Sequence, residues 1–238
     1  MVHDSSYFSH GSPSPLKSAS ASHLSTQTMV AEKGRNAAHI DNPATAPVQH
    51  SILWIDGIGG YLLWDKPELS LGQAFAESRA NVGIVGDLSR QAAVVRRLGT
   101  DYLLQPLQST KVDGVTIDRP QLLRDGMIIE LGSSVKIRFR RPNALSGTAL
   151  LEMASIHRWK PTVDAVMLLS DCCMIGPRAG SHIACHDWRN EVLLVRKGAE
   201  WQIRVAGEVQ VNGLAARGQL PIAPGTRVRG DDFSLSIE

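Results

Sequence analysis

Two sets of three glycines recur along this chain at one fixed distance, and this repeat constrains the fold more than any other feature. The sets share their mutual spacing at an offset of 99 residues: Gly99, Gly114 and Gly126, then Gly198, Gly213 and Gly225. Glycines at fixed intervals mark turns whose backbone geometry other residues adopt poorly. The sequence therefore predicts two copies of one small domain.

Residues beside these glycines also match between the copies. Residues 112–114 (VDG) correspond to residues 211–213 (VNG), and Arg90 corresponds to Arg189. Farther upstream the offset is larger, which indicates an insertion between Gln73 and Asp87 in the first copy. We expect one domain over residues 50–141 and another over residues 148–238. A linker as short as residues 142–147 predicts that the two domains stay in contact.

Short apolar runs separated by turn residues indicate that each copy is built of β-strands. In the run 135–139, apolar and basic residues alternate as in a half-buried strand. The dipeptides Asp56-Gly57 and Asp113-Gly114 favour tight hairpin turns. Residues 148–155 suit a strand or a two-turn helix, and the repeat favours a strand. The runs of strand length in the first copy are 52–55, 61–64, 69–71, 92–96, 102–104, 127–131 and 135–139. The predicted fold is all-β, with two tandem antiparallel sandwiches.

The N-terminal segment 1–49 differs from the rest of the chain. Nine of its first 25 residues are serines and it has no sustained apolar period, so we expect a disordered tail. No apolar run has the length of a signal peptide or of a membrane span, which argues against a membrane protein. The cysteines are odd in number and two are adjacent, which favours a reducing cytoplasm over a disulfide framework.

The motifs of the first copy resemble, in order, those of the forkhead-associated (FHA) family. An FHA domain carries I-G-R at a strand end, then S-R-x-H, N-G-T, V-N-G and L-x-x-G-D-x-I-x-L-G. The first copy has LGQ at 71–73, LSRQAAV at 88–94, QSTKVDG at 108–114 and LRDGMIIELG at 123–132. The second copy retains less: IGP at 175–177, WRNE at 188–191, VNG at 211–213 and PGTRV at 224–228. The resemblance covers residues 60–139 and implies sandwiches of the FHA/SMAD-like kind.

The resemblance further implies that loops at one end of the sandwich bind phosphothreonine peptides. The implied site in the first copy consists of Gln73, Ser89, Arg90, Gln108 and Thr110. Two of these depart from the family, because Gln73 replaces its arginine and Gln108 replaces its asparagine. We therefore expect weakened binding in the first copy.

The second copy departs further from the family pattern. Pro177 and Gly207 stand at the arginine and asparagine positions, Arg189 is retained, and Arg178 is displaced by one residue. We expect no phosphothreonine binding there. The predicted function is a non-catalytic adaptor or scaffold that binds a protein partner, with or without a phosphothreonine.

Other kinds of site are less well supported by the sequence. One group of thiols and imidazoles could be read as a zinc site: Cys172, Cys173, His182, Cys185 and His186. It lacks the two separated chelating pairs of a zinc site, so we predict buried free cysteines and neither a metal nor another cofactor. Residues 56–60 (DGIGG) precede a strand and open no helix, so they indicate a hairpin turn and not a phosphate-binding loop. Ser89 lies in no G-x-S-x-G elbow, and no enzyme activity is expected.

A basic stretch provides the alternative hypothesis, a nucleic-acid-binding sandwich. It contains Lys136, Arg138, Arg140 and Arg141. Its alternation with apolar residues favours an ordinary solvated strand face, and a net charge of +2 gives no strong electrostatic case for nucleic acid. The tryptophans are predicted to be anchors in the cores or between the domains.

Overall fold

The computed structural model of the protein describes residues 51–75 and 78–238, all within one compact unit. The predicted tail, residues 1–49, lies outside the described residues. These contain no helix that could cross a membrane, and all of their regular elements are strands. The strands are β1 (Ser51–Ile55), β2 (Gly59–Trp64), β3 (Glu68–Gln73), β4 (Val82–Val85), β5 (Ala93–Leu98), β6 (Asp101–Pro106), β7 (Thr110–Val112), β8 (Val115–Ile117), β9 (Gln121–Leu123), β10 (Ile128–Leu131), β11 (Val135–Arg140), β12 (Ala149–Met153), β13 (Arg158–Lys160), β14 (Ala165–Leu168), β15 (Cys172–Gly176), β16 (Ile183–Ala184), β17 (Val192–Lys197), β18 (Glu200–Val211), β19 (Leu214–Ile222), β20 (Arg227–Arg229) and β21 (Ser234–Ile237).

The predicted all-β fold is confirmed, including the choice of a strand within residues 148–155. The glycines of the repeat occupy turns as expected, and all six have positive φ angles between 63° and 89°. Asp113 and Gly114, with φ angles of 49° and 80°, form a two-residue turn between paired Val112 and Val115. This backbone conformation is typical of tight hairpins, which is why the dipeptide was informative.

Two sheets form a sandwich. The large sheet has 15 strands, and the small sheet has six strands in the order β13-β4-β3-β5-β6-β9. In the large sheet β19 pairs with β18, and the other strands follow the order β16-β15-β17-β18-β20-β21-β1-β2-β14-β12-β11-β10-β7-β8. Most pairs are antiparallel as predicted, and the parallel pairs are β2 with β14, β3 with β4, and β15 with β16.

The first strand of each half of the chain lies against the last strand of the other half. In β1, Leu53 is opposite Ile237 of β21, whereas in β12 Leu151 is opposite Phe139 of β11. The hairpin β1–β2 thus completes the sheet of the second half, and the hairpin β12–β14 completes that of the first. We call these the exchanged hairpins. They meet at the parallel pair β2 and β14 in the middle of the large sheet.

Each hydrophobic core contains residues from both halves, because the middle strands of the large sheet bury both of their faces. Successive side chains of a strand point to opposite faces. In β14, Val166 and Leu168 therefore enter the core of the first half, whereas Ala165 and Met167 enter that of the second. Strand pairing crosses the predicted boundaries at 141 and 148 in both directions. The boundaries themselves stay a prediction.

The tryptophans show how closely the halves are joined. Strand β13, which belongs to the second half, pairs with β4 at the edge of the small sheet. Its Trp159 side chain is buried in the core of the first half. Trp64 and Trp188 are also buried, whereas Trp54 and Trp201 are partly exposed. The segment between the halves is anchored as well, because the Tyr102 hydroxyl donates to the carbonyl oxygen of buried Gly147 at 2.5 Å.

Candidate functional site

A cleft of about 510 Å³ lies where three loops of the first half meet. The loops follow β3, β4 and β6, and we call the space between them the basic cleft. Its described lining residues are Arg79, Ser89, Arg90, Gln91, Leu107 and Gln108. None of these six residues is acidic, and two carry guanidinium groups.

The loop between β4 and β5, which carries Ser89 and Arg90, is held close to the end of β3. The Gln73 amide N–H donates to the Ser89 carbonyl oxygen at 3.0 Å. A Cβ atom on Gly72 would lie 2.1 Å from the Arg90 carbonyl oxygen, so only glycine permits this approach of the two backbones. The side chains of Ser89 and Arg90 are exposed at the cleft as a result.

The turn between β6 and β7 forms a second wall. The amide N–H groups of Leu107 and Gln108 both donate to the Ala92 carbonyl oxygen, at 3.0 and 3.1 Å. The Thr110 hydroxyl donates to the Gln108 carbonyl oxygen at 2.9 Å, and Thr110 is only 1% exposed. Thr110 thus stabilises the turn, whereas the Gln108 side chain is exposed at the cleft.

The structure brings three of the five predicted site residues to the cleft, namely Ser89, Arg90 and Gln108. The Gln73 side chain instead donates from Nε2 to the Gly86 carbonyl oxygen at 3.2 Å. Gln73 and Thr110 therefore support the surrounding loops and are not among the described lining residues. That these residues bind a phosphopeptide stays a prediction.

Two residues in or beside the cleft belong to no motif of the sequence. Arg79 comes from the insertion between Gln73 and Asp87, which has no counterpart in the repeat. Phe75, about half exposed, lies under Arg90, whose Cζ is 5.7 Å from the ring centroid. Such a cation–π contact favours the position of the Arg90 guanidinium over the Phe75 ring. The sequence signal that could have indicated them is the presence of a cation and an aromatic residue within this short insertion.

The corresponding place in the second half has the opposite electrostatic character. A cleft of about 250 Å³ there is lined by Arg189 and four acidic residues, which are Glu191, Glu208, Asp231 and Asp232. The Arg178 guanidinium, Nη1, is paired with Glu191 Oε2 at 3.3 Å. Carboxylates repel phosphate, so this cleft is unsuited to a phosphorylated ligand.

The thiols and imidazoles considered for zinc do not converge. The structure shows no cluster of three metal-binding side chains within residues 51–75 and 78–238. All three cysteines are free thiols, and burial raises the pKa of Cys185 to about 11. The pKa of Cys173 is also raised by burial. Both thiols therefore stay protonated at neutral pH.

His182 is buried, and the Met174 amide N–H donates to its Nδ1 at 2.9 Å. Burial lowers the pKa of His182 from 6.5 to about 4. The unfolded chain therefore binds a proton between these pH values and the folded chain does not. The stability that the neutral form of His182 contributes is fully present above pH 6.5, and we expect its loss to lower the free energy of unfolding by about 3 kcal/mol as pH decreases to 4.

Urea unfolding at a series of pH values measures this loss for the wild type and for His182→Asn, whose side-chain oxygen can still accept from Met174. The variant should lose less stability than the wild type between pH 6.5 and 4. The same slope in both proteins would rule out His182 as the cause.

The basic stretch lies along β11 and the residue after it, and most of it is paired with carboxylates. Arg141 Nη1 is 2.9 Å from Asp101 Oδ1, and Arg140 contacts two carboxylates, one of them Glu152 at 3.7 Å. Lys136 is 3.7 Å from Glu130. These pairs neutralise much of the positive charge that the sequence suggested.

No protein-family model matches the chain, and no curated protein matches it either. Among solved structures, the chain is similar to the N-terminal FHA domain from EssC, a component of the bacterial Type VII secretion apparatus. The match is 11% identical, covers 79% of this chain and 92% of that one, and has a TM-score of 0.22. Two structures that superpose this poorly do not establish a common family or function.

Proposed function

We propose that this protein is a non-catalytic interaction module, an adaptor or scaffold, and that its basic cleft binds an anionic group on a partner protein. The observation that carries the proposal is the presence of Arg79 and Arg90 together with Ser89, Gln91 and Gln108 around one open space. Phosphothreonine is the anionic group that we propose, because it is the ligand implied by the motifs around Ser89. The free cysteines suit a reducing compartment, and we place the protein in the cytoplasm.

The side chains of the cleft are chemically suited to a phosphorylated peptide. A guanidinium group can donate two parallel hydrogen bonds to phosphate, and a serine hydroxyl can donate another. The Gln108 amide can bond to the peptide backbone, and exposed Leu107 offers an apolar contact beside it. We propose no phosphopeptide binding by the cleft of the second half that four carboxylates line, which we call the acidic cleft.

Binding through this cleft is expected to be weak. A charge-assisted hydrogen bond contributes about 1.5–3 kcal/mol, whereas a micromolar complex has only about 8 kcal/mol in total. Gln73, which lies outside the cleft lining, supplies no cation there. We therefore expect dissociation constants for phosphothreonine peptides between about 10 µM and 1 mM.

Arg90→Ala is expected to weaken phosphothreonine peptide binding by about 10- to 150-fold, which corresponds to about 1.5–3 kcal/mol. The measurement is a titration of the wild type and the variant with a phosphothreonine peptide library, followed by NMR. Arg189→Ala is the matched control, since it removes an arginine from the acidic cleft, and it should bind as the wild type does.

Two results would contradict the proposal. If the wild type bound phosphorylated and unphosphorylated peptides equally, the phosphate would not be the recognised group. If Arg90→Ala bound as tightly as the wild type, the phosphate would be held elsewhere.

Nucleic-acid binding has less support than protein binding. The ion pairs of Lys136, Arg140 and Arg141 leave less positive charge for contacts with a phosphate backbone. Binding to nucleic acid that falls steeply as salt rises would favour this alternative.

A further inference from the structure

Residues 78–81, which precede β4, are attached both to β3 and to the loop that carries Arg90. At the far end of this segment, Asn81 and Ser70 bond reciprocally: Asn81 Oδ1 accepts from the Ser70 amide at 2.9 Å, and the Asn81 amide donates to Ser70 Oγ at 2.8 Å. Ser70 is 9% exposed, so this attachment is largely shielded from water. It fixes the backbone two residues beyond Arg79.

Two further hydrogen bonds join this segment to the loop that carries Arg90. The Ser78 hydroxyl donates to the Arg90 carbonyl oxygen at 3.0 Å. In return, Gln91 Nε2 donates to the Arg79 carbonyl oxygen at 3.3 Å. The backbone of each cleft arginine is thus held by a side chain from the opposite loop. The backbones that carry the two cations are therefore fixed relative to each other before any ligand arrives, which lowers the entropy cost of ordering the loops on binding.

The basic cleft is larger than one phosphate group requires. A water molecule occupies about 30 Å³ in the liquid, and a phosphate group has only five heavy atoms. A space of about 510 Å³ can hold a phosphate group together with neighbouring side chains of a peptide. The arginines also come from different loops, and the Arg90 guanidinium lies over the Phe75 ring.

We propose that Arg79 determines the specificity of the basic cleft by binding a second negative group, next to the phosphate held by Ser89 and Arg90. The preferred ligand is then a phosphopeptide with acidic side chains beside the phosphorylated residue. This inference rests on the proposed function, because it assumes that the cleft binds phosphopeptides.

The test uses two phosphothreonine peptides that differ only at the two positions on each side of the phosphorylated residue. One carries glutamates there and the other carries glutamines. We expect the wild type to prefer the glutamate peptide by about fivefold, as is typical of an exposed ion pair. Raising the salt concentration should reduce this preference.

Arg79→Gln should bind both peptides with the affinity that the wild type has for the glutamine peptide. Arg90→Gln should weaken both and retain the preference. Arg119→Gln is the matched control, since it removes an exposed arginine that is not among the described lining residues. It should leave the affinities and the preference unchanged.

The outcomes separate the inference from the proposed function. If the wild type binds both peptides equally, or if the preference survives in Arg79→Gln, the inference is wrong and the proposed function stands. If the Arg119 control loses the preference as Arg79→Gln does, the effect is one of net charge and the inference is wrong. If the wild type binds neither peptide, the proposed function fails and the inference fails with it.

Discussion

A chain cut once between Ala144 and Leu145 is expected to remain assembled as a one-to-one complex of its two pieces. The exchanged hairpins place β1 against β21 and β12 against β11, so each piece contains strands that complete the sheet of the other. A protease site inserted there is accessible, because Leu145 is 95% exposed. Size-exclusion chromatography of the cut protein should show one species with the elution volume of the uncut chain.

Each piece is expected to lose cooperative unfolding once it has been separated in denaturant and refolded alone. Mixing the refolded pieces should restore the transition, which serves as the control for chemical damage. If the cut pieces separated without denaturant and each kept a native NMR spectrum, the halves would be independent domains. The exchanged hairpins would then not stabilise them.

Trp159→Ala is expected to destabilise the whole protein by about 3–5 kcal/mol, as is typical of removing a large aromatic side chain from a core. Trp159 is 1% exposed, and β13 is hydrogen-bonded to β4, where Trp159 is opposite Ile84. The substitution lies in the second half and leaves a cavity in the core of the first. Urea unfolding gives the loss of stability, and hydrogen exchange should show faster opening of the amides of β3 and β4.

Trp159→Phe is the matched control, because it keeps an aromatic ring in the core. The indole N–H of Trp159 has no hydrogen-bond partner among the described residues, so phenylalanine also removes an unsatisfied donor. We expect a loss well below that of the alanine variant. If Trp159→Ala accelerated the hydrogen exchange of amides in the second half alone, the packing of Trp159 in the core of the first half would be contradicted.

The strands and turns could be predicted because their signals are local. The alternation in 135–139 and the Asp113-Gly114 turn depend on residues close together in the sequence, and both predictions are confirmed. The burial of β11 follows the same alternation, with Val135, Ile137 and Phe139 completely buried.

The exchange of hairpins could not be predicted, because the two copies carry nearly equivalent patterns. A strand such as β1 has the same apolar alternation whether it pairs with β11 or with β21. A feature that distinguishes the hairpins is the connection between β12 and β14, which is long enough to carry β13 and Trp159 to the small sheet. The connection between β1 and β2 is a tight turn that contains Asp56 and Gly57.

The cleft was partly predictable for a similar reason. Ser89, Arg90 and Gln108 belong to short motifs with fixed spacing, which placed them together. Arg79 belongs to an insertion, and the hydrogen bonds that place it involve Ser70, Ser78 and Gln91. Contacts of this kind join loops that no repeat or periodicity connects.

The exchanged hairpins also determine the order in which the protein can mature on the ribosome. At about 5–20 residues per second, the chain grows from the end of β11 to the end of β12 in about 1–3 s, and until then the edge of β11 has no partner strand. Strand β1 lacks its partner β21 for longer, because β21 is synthesised after every other strand described here. An unpaired strand edge is a template for aggregation. The nascent chain is therefore prone to aggregation until these partner strands have been made, which two separately closed sandwiches would avoid. We expect chaperones to bind mainly to β1 and β11 during synthesis.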